Sequence, residues 1–226
     1  MSVNDNKSAF NSFEYDNNIK NTLPYYEEFH RQVIDVVRAM EFEQIKWLDT
    51  GCGTGKMARK ALEELDKMQI DFTLCDISGE MLEIAERVLG NQRITYRNIS
   101  SQALDDKGTF DVVTAIQCHH YLSLEQREIA VKNCYDALKE NGIFITFENI
   151  RLNSDATDLI GVKRWENYMY SKGKNKQEVL NHTRRRGTEV FPITVPRHLE
   201  LLKNCGFRYV EILWFSYLQA GFLGIK

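Results

Sequence analysis

Residues 47–58 read WLDTGCGTGKMA: an apolar start, an acid, then three glycines within five positions. Glycine loses more conformational entropy on folding than other residues, so such a cluster needs a left-handed turn or a close approach to the backbone. The residues just before it, Ile45–Asp49, form a short apolar run of the kind a buried strand makes. The residues after it, KMARKALEELDKM, place Met57, Ala61, Leu65 and Met68 at helical spacing. The glycines therefore join the end of a strand to the start of a helix.

Working outward, the same alternation recurs. Upstream, Leu23–Met40 has helical spacing, with Pro24 in the first turn. Downstream, Asp71–Asp76 reads as a second strand, and SGEMLEIAERVLG as a helix capped by Ser78 and stopped by Gly90. RITYRNI is a third strand and Thr109–Cys118 a fourth, nearly continuous in apolar residues. SLEQREIAVKNCYDALKENG reads as a helix from Ser123 to a stop at Gly142, and Ile143–Asn149 as a fifth strand. At the end, RYVEILWF and QAGFLGIK are too close together for a parallel crossover and must form an antiparallel hairpin. Between Arg151 and Pro192 lies a polar, basic insert with helical pieces and no sheet strand. The expected fold is α/β: a Rossmann-like, doubly wound sheet of about seven strands, mostly parallel, with an antiparallel C-terminal hairpin and helices on both faces.

The chain has 226 residues, 43% hydrophobic and 27% charged, which suits one globular domain. A net charge of −3 gives no overall pull toward nucleic acid. No apolar run approaches the roughly 20 residues that span a bilayer. The polar start, MSVNDNKSAFNSFEYDNN, lacks the apolar core of a secretory signal. Cys52, Cys75, Cys118, Cys134 and Cys205 are scattered and odd in number, as in a reduced cytoplasmic chain. No Cys, His, Asp and Glu set has the spacing of a metal site.

In an open parallel sheet, ligands sit beyond the carboxyl ends of the strands. A phosphate-binding loop needs G-x-x-x-x-G-K-[ST], but Thr50 replaces the first glycine and Met57 the hydroxyl residue. A dinucleotide site needs G-x-G-x-x-G, and Lys56 stands at its last position. Asp76 ends the second strand about 20 residues beyond Gly55, where an acid accepts ribose hydroxyls. Asp49, just before the glycines, suits a cationic group rather than a pyrophosphate. A nucleoside with a ribose, no phosphate and a positive amino-acid tail is S-adenosylmethionine.

WLDTGCGTG, LCDIS, FDVVTAIQCHHYL and LKENGIFITFEN resemble, in order and spacing, the motifs of class I S-adenosylmethionine-dependent methyltransferases. The resemblance runs from about Tyr15 to the C-terminus, and a more distant one reaches the carboxy-S-adenosylmethionine synthases. It implies that Gly51, Cys52 and Gly53 line the methionine moiety, with Asp49 nearby. Asp76 would hold the ribose, and Ile77 and Met81 would pack on the adenine. Asn98 stands where the family usually has Asp, and would serve the adenine amino group together with the Ile99 backbone. Gln117 would lie beside the sulfonium and S-adenosylhomocysteine would be the product. Residues 1–40 would form a lid and helix, with Tyr15 at the reacting group, Tyr25 at the acceptor and Tyr26 in the core. His119 and His120 are candidate bases, or else loop caps packed under the next helix. The run Arg184, Arg185 and Arg186 lies in the 151–192 insert, expected to cover the substrate. It is either a solvated face or a cradle for an anionic acceptor. The expected activity is methyl transfer to a small molecule. A carboxy-S-adenosylmethionine synthase type of reaction, a tRNA-related methyltransferase and a non-catalytic binding module are the alternatives. Monomer and homodimer both remain open.

Overall fold

A computed structural model of the protein describes residues 18–90 and 93–226. Tyr15 and the rest of residues 1–17 lie outside the described residues. The elements, in order, are α1 (Tyr26–Ala39), β1 (Gln44–Thr50), α2 (Lys56–Glu64), β2 (Gln69–Cys75), α3 (Gly79–Leu89), β3 (Ile94–Arg97) and β4 (Phe110–Ile116). Then come α4 (Leu124–Ala137), β5 (Leu138–Asn149), α5 (Asp155–Ser171), α6 (Lys176–Thr183), α7 (Val195–Cys205), β6 (Tyr209–Ser216) and β7 (Gln219–Ile225).

The seven strands form one sheet in the order β3-β2-β1-β4-β5-β7-β6. The first five are parallel, while β7 runs antiparallel to both β5 and β6. The expected architecture is therefore the observed one. The strand order reverses direction between β1 and β4, so the connections leaving their carboxyl ends diverge and open a crevice. One face of the sheet buries Phe29, Val33 and Val37 of α1 and Met57 and Ala61 of α2 against Trp47, Phe72 and Ile145. The other buries Val131 and Cys134 of α4 and Leu201 and Leu202 of α7 against Leu48, Val113 and Phe144.

Two boundaries differ from the sequence reading, and one helix is additional to it. α1 starts at Tyr26, because Tyr25 has a left-handed backbone (φ 59°) that cannot continue a helix, so Pro24 lies outside it. α4 ends at Ala137 rather than at Gly142. Leu138, fully buried, instead pairs with Phe110, and the register then shifts before Ile143 pairs with Val112. Gly142 thus lies within a strand, where a Cβ would come within 2.9 Å of the Lys139 carbonyl. Finally, α7 packs over α4 with Thr194 as N-cap and Gly206 as its left-handed stop. Among the described residues no helix is long and apolar enough to cross a membrane.

Candidate functional site

The three glycines of the β1–α2 turn all have positive φ, at 67°, 54° and 76°. Their reasons differ. A Cβ at Gly51 would lie 2.4 Å from the Cys118 Cβ, so this glycine lets two strand ends meet. A Cβ at Gly55 would lie 2.7 Å from Leu89, so this one seats α2 against α3. A Cβ at Gly53 would meet no described atom within 4 Å. Only Gly53 borders open space, and that space is the cleft.

The cleft, about 760 Å³ with its open mouth, lies beyond the carboxyl ends of β1, β2 and β4. Gly51, Gly53, Asp76, Ile77, Met81, Ile99 and Gln117, seven of the ten residues expected at the cofactor, line it. Asp49 and Cys52 line an adjoining recess of about 340 Å³ that shares Gly51, Gly53 and Ile116 with the cleft. Asn98 is the tenth. Its amide donates to the Asp76 carbonyl at 2.9 Å, so it fixes the β2 end from beside the cleft.

Ser78 caps α3, and Asp76 has local partners of its own. Ser78 Oγ accepts from Met81 N at 3.1 Å. One Asp76 oxygen accepts from Gly53 N at 2.8 Å and the other from Ser78 N at 2.9 Å. A carboxylate offers about four lone-pair sites, so it can serve several donors at once. The same carboxylate thereby sets the glycine loop and faces the cleft.

Asp49 is 2% exposed. Trp47 Nε1 donates to Thr114 Oγ1, and Thr114 Oγ1 donates to an Asp49 oxygen at 2.7 Å. Burial pushes the carboxyl up to about 7, against the Thr114 hydrogen bond and with a smaller push from Asp76. A cation in the recess would reverse that shift, since an opposite charge favours the ionised form. The recess also contains Lys56, whose Nζ lies 2.6 Å from Glu27 and over the Tyr26 ring, and His30. His30 was missed in the sequence, where a histidine on the apolar face of α1 reads as core.

Gln117 has a left-handed backbone (φ 56°), a strained conformation for a side-chain-bearing residue. The strain is held by its own N–H to the Phe147 carbonyl and by its amide nitrogen to Phe147 and Gln219. Ser101, Gln102, Tyr121 and Leu122 complete the wall and were also missed. Tyr121 and Leu122 were visible in CHHYL, directly after the two histidines.

The two histidines have different surroundings. His119 lines the cleft, and its Nε2 is 2.9 Å from Ser101 Oγ, which also pairs with Thr50 Oγ1 at 2.8 Å. Burial holds its pKa near 4, so the ring is neutral. His120 is not among the lining residues. Its Nδ1 and backbone N–H both meet Glu148 Oε2, at 2.9 and 2.8 Å.

The arginines separate as well. Arg184 is exposed at the end of α6. Arg186 is tied to both oxygens of Asp158 at 3.1 Å and to Asn149 at 2.6 Å. Arg185 pairs with Glu189 at 2.8 Å and stands 5.7 Å from the Tyr121 ring, directly behind the cleft wall. Tyr25 is 56% exposed and sits on Trp214 and Tyr217, while Tyr26 is buried, as its spacing implied.

Comparisons with known proteins point to one family. A family model described as a methyltransferase domain matches residues 48–144. A carboxy-S-adenosyl-L-methionine synthase of Nautilia profundicola is 24% identical over 94% of this chain and 90% of its own. One of Staphylococcus epidermidis is 24% identical over 97% of this chain and 96% of its own. Among solved structures, the Haloferax volcanii putative methyltransferase, in complex with the Trm112 activator, superposes with a TM-score of 0.67. It is 13% identical, over 99% of both chains, so that likeness concerns the fold. With a glycine cradle open at Gly53, an acid at the β2 end and a buried carboxyl beside the loop, the chain resembles the class I S-adenosylmethionine-dependent methyltransferases, and the matches support S-adenosylmethionine as its cofactor or substrate.

Proposed function

We propose that the protein transfers the methyl group of S-adenosylmethionine to a small acceptor entering beside Tyr121 and Leu122. The observation that carries this reading is the composition of the cleft wall: polar at Asp76, Ser100, Ser101 and Gln102, apolar at Ile77, Met81, Ile99 and Leu122, with no Lys or Arg among the described lining residues. Such a wall accepts a nucleoside and leaves room for an uncharged reacting group next to it. Asp76 would hold the ribose, Ile77 and Met81 the adenine, and the recess at Asp49 the amino-acid tail.

When bound, S-adenosylmethionine supplies an activated methyl group on a sulfonium. The chain's task is then to align the acceptor and exclude water. Alignment alone is worth on the order of 7–11 kcal/mol. A strong protein base is not part of the proposal. A ring with its pKa near 4 is too weak a base to take a proton efficiently at neutral pH. His119 instead orients Ser101, and His120 holds the loop through Glu148. The insert from 151 to 192 is proposed as the acceptor's cover, with Arg185, paired with Glu189, supporting the wall at Tyr121. Tyr25 is proposed as an acceptor-side contact.

A second reading is supported by the end-to-end likeness to the two synthases, which spans nearly the whole of each chain. In that case the product would be a carboxylated S-adenosylmethionine. Mass spectrometry of the nucleoside released from purified protein, together with product analysis after incubation with S-adenosylmethionine and pooled small metabolites, separates the two. S-adenosylhomocysteine with a methylated acceptor supports methyl transfer. A carboxylated nucleoside replaces it with the synthase reading.

A further inference from the structure

Six described residues other than glycine have a left-handed backbone, and three of them gather at one corner of the site: Tyr25 (φ 59°), Gln117 (φ 56°) and Tyr217 (φ 51°). Gln117 lines the cleft and bonds Gln219 at 2.8 Å, two residues after Tyr217. Tyr25 precedes Tyr26, which lines the recess, and its ring lies 6.2 Å from that of Tyr217. Tyr25 stands just before α1 and makes no capping bond, while Tyr217 lies in the short turn between β6 and β7. Glycine or asparagine takes such a left-handed position at less cost than a ring-bearing residue. Strain of this kind gathers at ligand clamps and active sites. Burial does not account for it here, since Tyr25 is 56% exposed and Tyr217 only half-buried.

The neighbours indicate what the two rings are for. Tyr25 meets Trp214 edge-on at 6.1 Å, and Trp214 packs on Phe29 and Phe147 of the core, so the exposed ring has a rigid backing. Arg164 of α5, itself exposed, lies over the Tyr217 ring at 4.5 Å. Tyr168 flanks the same ring at 6.0 Å, and its hydroxyl donates to the Lys20 carbonyl at 2.7 Å. A guanidinium stacked on an aromatic face keeps its N–H donors in its own plane, in the fork that matches a carboxylate. Among the described residues Arg164 makes no ion pair, whereas its neighbour Lys163 is paired with Glu166 at 3.0 Å. The corner thus offers an aromatic face in Tyr25 and a cation in Arg164, with Tyr217 between them. Rings tilted at 55° and 6.2 Å apart leave no slot for a third, so a flat ligand lies on the open side of Tyr25.

We propose that this corner is the acceptor subsite and that the acceptor is a planar aromatic molecule carrying a carboxylate. Its ring stacks on Tyr25, and its carboxylate meets Arg164, which Tyr217 holds in place. The proposal rests on the methyl-transfer reading above and deepens it by naming the substrate class. The uncharged end of the same molecule is turned toward Gln117 and the cleft, whose described lining residues include no Lys or Arg.

The test is ligand-observed NMR titration of the protein saturated with S-adenosylhomocysteine. The probes are p-hydroxybenzoate, the neutral p-hydroxybenzamide, and cyclohexanecarboxylate, which keeps the charge without the flat ring. The aromatic acid is expected to bind about tenfold more tightly than either of the others, as for one hydrogen-bonded charge or one stacked ring. Arg164→Gln should weaken the acid about tenfold, to the level of the amide, and leave the amide unchanged. Arg164→Lys should recover only part, having the charge without the planar fork. Tyr217→Asn suits the left-handed turn and removes the ring. It should weaken the acid about tenfold while the melting temperature stays at or above that of wild type. S-adenosylhomocysteine affinity, by calorimetry, should be unchanged in these variants and reports that they are folded. Wild type that binds the acid no better than the amide, or not at all, overturns the proposal, as does acid binding that survives Arg164→Gln. A lowered melting temperature in Tyr217→Asn with acid binding intact shows a packing role and overturns it too. Wild-type protein that does not bind S-adenosylhomocysteine overturns the S-adenosylmethionine reading itself.

Discussion

Asp49 is where charge, burial and ligand choice meet in one side chain. Its carboxyl is pushed up to about 7 by burial, so near neutral pH the unliganded protein holds it partly protonated. A folded-state pKa above the unfolded value means stability that is fully present below about 3.8 and is lost as pH rises through about 7. A ligand ammonium favours the carboxylate and therefore drives the proton off. S-adenosylhomocysteine affinity should accordingly rise with pH up to about 7 and level off above it. Calorimetry in buffers of different ionisation enthalpy should show proton release at pH 6.5. In Asp49→Asn both effects should vanish, while affinity at pH 8 falls. A wild-type affinity flat between pH 5.5 and 8 would show that no cation meets this carboxyl. The acid itself was legible in LDTGCGTG, because a carboxylate before the glycines is wrong for a pyrophosphate. The shifted pKa was not, since it depends on Thr114 and on burial across the β1–β4 pair.

The β1–α2 turn separates structural from cleft-facing glycines, although the sequence shows three alike. Gly51→Ala places a Cβ 2.4 Å from that of Cys118 and adds a left-handed φ, so it should lower both melting temperature and ligand affinity. Gly53→Ala meets only the backbone penalty, roughly 1–2 kcal/mol, because its Cβ enters open space. It should remain folded, by circular dichroism and thermal melting, yet lose S-adenosylhomocysteine binding by calorimetry. Equal thermal loss in both variants would contradict this division. Most elements could be read because their signals are local: Ser78 and Ser123 cap, Gly90 stops, and β4 is continuously apolar. The start of β5 could not, because LKENG continues a helical pattern. Only its long-range pairing of Leu138 with Phe110 makes it a strand. The signals of α7 were present, in Thr194 before Val195 and Pro196 and in Gly206 after Cys205.

Across the fold, a buried network behind the cleft ties distant segments together. Glu148 of β5 receives the backbone N–H groups of His119 and His120 and the His120 ring. Arg127 of α4 donates to the carbonyls of His119, Leu122 and Phe191, joining the β4–α4 loop to the insert. Burial opposes the charge on Glu148, but the His120 hydrogen bond, with the electrostatic pull of the neighbouring rings and of Arg127, outweighs it and holds the pKa at about 2. A depressed carboxylate contributes stability above its unfolded pKa, and this is lost as pH falls from about 4.5 toward about 2. Glu148→Ala should destabilise the fold by about 3–5 kcal/mol, as for one partner removed from a buried pair, measured by denaturant unfolding at pH 7. A change below 1 kcal/mol would show that the network is not needed for the fold. This network was invisible in the sequence, where CHHYL offered two histidines of equal standing. The proposed placement of the cofactor rests on Asp76, which links the glycine loop to the cleft. The deciding measurement is calorimetric titration of S-adenosylhomocysteine into wild type and Asp76→Ala. Wild type should bind, and Asp76→Ala should lose roughly 1.5–3 kcal/mol or more, as for hydrogen bonds to a charged group. Wild-type affinity in Asp76→Ala would contradict the account.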